Sequence, residues 1–158
     1  MFYPYSLIIP GLVIAPNLLF FLAKPVKVPA SPPKESVFLV ICERLGQTGC
    51  FVAPLFYRVN FSGAWQITAA LGMALVLLVY YLCWIRFFTH GREYRWLYEP
   101  LAFIPIPMAL FPVVYFLLGS AITHSIPLLI SSLVFAAGHI PISLLQYQHV
   151  GENLPGQQ

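Results

Sequence analysis

The sequence predicts an all-α integral membrane protein, a bundle of five transmembrane helices. Three observations predict it. Of the 158 residues, 59% are hydrophobic and only 8% are charged, against about 25% charged in an ordinary soluble domain. So few charges cannot cover a water-exposed globular surface. The apolar runs are continuous and close to the ~20 residues that cross a bilayer as a helix; a transmembrane barrel would instead show short alternating segments. Finally, the Lys and Arg residues gather in two short loops, as they do beside a membrane surface.

The first helix is expected over about residues 6–23. Pro10 and Pro16 interrupt it and predict a kink. Neighbouring groups must satisfy the carbonyls that the prolines free, and the amide of Asn17, directly after Pro16, is placed for that repair. Val28-Pro29-Ala30 resembles a cleavage site for a secretory signal. The segment before it has no Lys or Arg until Lys24, and its apolar run contains Pro10 and Pro16, so a retained helix is expected. Residues 24–36 carry Pro25, Pro29, Pro32 and Pro33 and predict a stiff, extended linker.

The second helix is expected over about 37–57, and the Asn60-to-Gly63 stretch reads as a turn. The third, about 64–86, is the most purely apolar. Trp65 and Trp84 stand near its two ends as interfacial aromatics, and Thr68, Ala69 and Gly72 offer a small patch for close helix contact. A fourth helix is expected over about 99–118. It starts at Glu99-Pro100, where an acid and a proline suit a first turn, and Pro105, Pro107 and Pro112 predict a kinked course. The fifth is expected over about 125–147, opening at Ser125-Ile126-Pro127. Residues 1–147 thus form one helical domain, and 148–158 a short, loose, polar tail.

With five spans, Lys24, Lys27, Lys34, Arg86, Arg92 and Arg95 share one side, and Arg58 alone occupies the other. The positive-inside rule then puts the N-terminus outside and the C-terminus in the cytoplasm. The same six cations are expected to meet anionic lipid headgroups. A net charge of +3 implies no nucleic-acid partner. Membrane lipids are the expected partners, with a second copy of this chain or a separate membrane subunit beside them.

Ionisable groups inside an apolar span are costly and mark function by default. On a helical wheel Glu43, Gly46, Gln47, Cys50 and Pro54 fall within roughly 100° of arc on the second helix. Arg44 lies on the flank, where it reaches the headgroups or another helix. The fifth helix carries Ser132, Ala136, His139, Ser143 and Gln146 along one face. Asn17, Glu43 and His139 lie roughly 9–11 Å inside the same boundary at ~1.5 Å per residue. The sequence therefore predicts a polar pocket open to the cytoplasm, built from Asn17, Glu43, Arg44, Gln47 and His139. Interhelical hydrogen bonds that lock the bundle, worth about 0.6–2 kcal/mol each, account for the same residues.

No nucleotide-binding, dinucleotide-binding or serine-hydrolase motif is present, there is no Asp, and nothing names a cofactor. His90 and Glu93 are too few for a metal site, and none is expected. Three cysteines without CxxC spacing argue against a disulfide framework. Three function classes remain. The first is a small-molecule or ion carrier in which Glu43 and His139 exchange protons. The second is a non-catalytic subunit or assembly factor whose polar stripes are packing devices. The third is a membrane enzyme acting on a lipophilic substrate, with Glu43 or His139 as acid–base and Arg44 as anion holder.

Overall fold

The computed structural model describes residues 2–29 and 31–153. It is all-helical. Five α-helices follow one another as α1 (Ile8–Leu22), α2 (Val37–Val52), α3 (Ala64–Thr89), α4 (Pro107–Thr123) and α5 (Ile126–Asn153). Single 3-10 turns at Pro4–Leu7 and Ala53–Phe56 lengthen α1 and α2, and a third, Tyr94–Leu97, lies between α3 and α4. With those turns, α1, α2, α3 and α5 are long and apolar enough to cross a membrane. The fourth helix is apolar but has 17 residues.

Three boundaries differ from expectation. Helix α4 begins at Pro107 rather than 99, because Pro105 and Pro107 push the residues before them out of the helical region. Ala102 and Ile106 take positive φ (54° and 45°), and Leu101 and Ile104 exchange backbone hydrogen bonds of 3.0 Å across a tight turn. The same helix runs past Gly119-Ser120 and stops at the left-handed His124. Gly119 is no breaker here; Ile9, Met73 and Leu128 pack over it. At the far end, α5 continues through Asn153, so residues 148–153 are helix and not loose tail. Val150 is buried there and His149 Nε2 is 2.7 Å from the Ser31 carbonyl. Residues 154–158 lie outside the described residues.

Consecutive helices run up and down. At one end the N-terminal turn meets the α2–α3 connection, with Tyr3 N–H donating to Leu55 O (2.7 Å) and Ser6 Oγ to Tyr57 O (2.9 Å). At the other end the linker 24–36 is sewn to the α3–α4 loop. Val26 N–H donates to Arg92 O and Tyr94 N–H to Val26 O, both at 2.9 Å. Lys27 and Arg95 both pair with Glu93, and the Lys27 ammonium holds the Glu93 carboxyl below the usual carboxylate range.

Helix α5 packs along α2 on one flank and α4 on another, and α4 packs on α3. The backbone of α1 comes near α3 and α4 but hardly near α2 or α5. It runs unbroken through Pro16. That proline removes the donor for the Leu12 carbonyl, and the Tyr81 hydroxyl of α3 supplies it at 2.7 Å. Phe20 of α1 meets Trp84 edge-on at 5.8 Å, and Trp84 in turn packs on Phe87 and Phe88. Large apolar side chains such as Leu22, Leu45, Leu71, Leu75 and Leu133 stay exposed on the outer faces. Water would disfavour such a surface, whereas lipid would accept it.

Arg86, expected at the headgroups, is turned onto the chain instead. Its Nη2 donates to the Glu99 carbonyl at 2.6 Å and its Nη1 to the Pro100 carbonyl at 3.0 Å. Its guanidinium carbon is 5.1 Å from the centre of the Trp96 ring. Charged hydrogen bonds and a cation–π contact together make Arg86→Ala cost about 2–4 kcal/mol. Thermal unfolding in detergent checks this, and Arg86→Lys should recover only a small part because it loses the planar fork.

Candidate polar site beside an interhelical cavity

Two glycines bring α2 and α5 into backbone contact. A Cβ on Gly138 of α5 would collide with Glu43 N and Leu39 O, and a Cβ on Gly46 of α2 would collide with the Phe135 backbone. Small residues of this kind let apolar helices approach closely. One residue beyond Gly138, His139 reaches back across this seam. Its Nδ1 is 2.6 Å from Glu43 Oε1. An Nδ1–H donates to the ionised carboxylate; alternatively a neutral carboxyl donates its O–H to Nδ1. The Phe135 ring stacks on the imidazole at 4.6 Å and 17°, so ring and carboxyl hold one another in place.

A cavity of about 450 Å³ adjoins the pair, walled by all five helices and the α3–α4 loop. His139 and Ser143 line it from α5, Gln47 and Phe51 from α2, Asn17 from α1, Tyr80 and Trp84 from α3. Gln47 stands one turn beyond Glu43. Neither its amide nor the Ser143 hydroxyl makes a hydrogen bond among the described residues, although Ser143 is only 5% exposed.

Three of the five expected pocket residues, Asn17, Gln47 and His139, thus share one cavity, and Glu43 is bound to its wall. Asn17 does not touch Glu43 or His139. Its Nδ2 donates to the Val13 carbonyl (2.8 Å) and to the Tyr80 hydroxyl (3.0 Å). Arg44 is exposed on the flank of α2, and its guanidinium hydrogen-bonds no described residue.

Tyr98, which also lines the cavity, was not singled out by sequence. Its hydroxyl lies 3.1 Å from that of Tyr94, which donates to Gln146 Oε1 (3.3 Å); Gln146 Nε2 donates to Glu35 Oε1 (2.9 Å). A file of hydrogen-bonding groups therefore leads from the cavity to the linker. Burial pushes the Tyr98 hydroxyl well up from its ordinary range, so it stays protonated. The i,i+4 spacing of Tyr94 and Tyr98 was the available signal, hidden because this segment forms a 3-10 turn rather than a helix.

No protein-family model, curated protein or solved structure matches this chain. What the site does is therefore argued from its own chemistry.

Proposed function

We propose that the chain is a five-span integral membrane protein, N-terminus outside and C-terminus cytoplasmic, that binds a small molecule in the cavity and exchanges a proton at the Glu43–His139 pair. The pair itself carries the proposal. A charged group at mid-membrane depth costs about 2.5–3.5 kcal/mol, and this carboxyl is spent on a titratable partner at the wall of a cavity rather than on a headgroup. A volume of about 450 Å³ falls within the roughly 300–1,000 Å³ of small-molecule sites. Helix α4, at 17 residues, meets the lower limit of about 17 for a span. The cationic end carries Lys24, Lys34 and Arg92 for anionic headgroups, since Lys27 and Arg95 are already paired with Glu93.

Native mass spectrometry of the purified protein across pH 5–8 tests the proposal. Wild type should retain an adduct whose occupancy changes with pH. Glu43→Gln should keep the fold and flatten that pH dependence, while Gln47→Leu should lower occupancy at every pH. A wild-type protein that carries no adduct at any pH, or a Glu43→Gln profile identical to wild type, overturns it.

One observation favours a second role, that of a non-catalytic subunit. The pair lies at the closest approach of α2 and α5, where a hydrogen bond also serves as a packing lock. In that case Glu43→Gln or His139→Ala lowers the unfolding temperature in detergent or changes the oligomeric state.

A further inference from the structure

Building on the proposed binding role of the cavity, we infer that its ligand is an uncharged amphiphile, an apolar body with one hydroxyl or carbonyl head, admitted sideways from the bilayer past α1.

The lining sets the charge. No Lys, Arg or Glu is among the described lining residues, and the one ionisable imidazole, His139, already has its carboxyl. A ligand ion would remain uncompensated at a cost of several kcal/mol. The polar atoms set the head. The Gln47 amide, the Ser143 hydroxyl and His139 Nε2 have no hydrogen-bond partner among the described residues, and all three residues line the one cavity. A few open polar groups on a mostly apolar wall fix the orientation of whatever fills the space, and a single hydroxyl or carbonyl supplies a matching donor or acceptor at the small size required. The remaining lining, with Phe20, Phe51 and Trp84, suits an apolar body.

The route follows from α1. Its backbone stays close to α3 and α4 and away from α2 and α5, so the cavity separates it from the Glu43–His139 seam. Phe21 lines the cavity and is nevertheless 73% exposed. It therefore stands at the mouth, on the outer face of the bundle, one residue from the end of α1. That level is the boundary between hydrocarbon and headgroups, where amphiphiles reside.

Photolabelling in phosphatidylcholine vesicles tests this. The probes are a long-chain fatty alcohol with a diazirine in its chain, the matching fatty acid, and a water-soluble benzyl alcohol diazirine. The alcohol is expected to label Phe51 and Tyr98 about tenfold more than the acid does, which corresponds to ~1.4 kcal/mol. Ile14→Trp, which fills part of the cavity from α1, should reduce that labelling several-fold and leave label on the outward Leu71 unchanged. Equal labelling by acid and alcohol overturns the uncharged head. Cavity label from the water-soluble probe alone overturns the ligand class and the route while the binding role stands. No cavity label from any probe overturns both. If Ile14→Trp unfolds on heating well below wild type, the three wild-type comparisons still decide.

Discussion

Gly138→Ala is expected to unfold several degrees or more below wild type, although alanine is the better helix former. The added Cβ has nowhere to go. It meets the backbone nitrogen of Glu43 and the carbonyl of Leu39, and neither is the movable tip of a side chain. Helix α2 must move off α5. The movement would stretch the 2.6 Å Glu43–His139 bond and the 3.7 Å contact between Cys50 Sγ and Ser132 Oγ, and would unseat Gly46 from Phe135. Overpacking of this kind costs typically about 1–3 kcal/mol; a rigid backbone collision along the most extensive helix pair belongs at or above the top of that range. Gly11→Ala is the control. Nothing lies within 4 Å of its added Cβ, so the helix gains about 0.5–1 kcal/mol. Equal unfolding temperatures for Gly138→Ala and Gly11→Ala in the same detergent would refute the close seam.

The second large effect is non-additivity between Glu43 and His139. His139→Leu alone strands a carboxyl that has no other hydrogen-bond partner among the described residues. Glu43→Leu strands an imidazole under the Phe135 ring. Each single change is expected to cost about 2–3 kcal/mol, because a part-buried polar group abandoned in an apolar seam is dearer than a missing bond. The double change leaves no orphan and should cost no more than either single one. The coupling, about 2 kcal/mol or more, is read from a double-mutant cycle by reversible unfolding in mixed micelles. Strictly additive losses would show that the two groups do not act as a pair.

Most of the helical layout was legible in the sequence, since continuous apolar runs and proline-rich joints are local signals. Four expected spans begin or end within a few residues of α1, α2, α3 and α5. The start of α4 was misplaced because Glu99-Pro100 imitates a helix start; the stop lay further on, in the positive φ of Ala102 and Ile106. The end of α5 was misplaced because a polar composition reads as tail, whereas the helix is held by a packing partner, the linker at Ser31. Equal depth suggested that Glu43 and His139 could meet. It could not show the Gly46 and Gly138 contacts that make them meet, because helix neighbours are a tertiary matter. Arg86 shows the same limit in reverse. It was a cation at an interface by sequence, yet its guanidinium is consumed by the Glu99 and Pro100 carbonyls. The repair of Pro16 was foreseen in kind and misassigned in residue. It comes from Tyr81 on another helix and not from the adjacent Asn17.

The pairing of α2 with α5 also bears on how the protein is made. Glu43 and His139 are separated by 96 positions, and α3 and α4 emerge from the ribosome between them. On the proposed membrane reading, a nascent chain holds an unmatched carboxyl, and the bare Gly46 surface beside it, until residue 139 has been synthesised. A chain broken off before residue 139 would keep that flaw permanently, which is the kind of defect that membrane quality control can recognise.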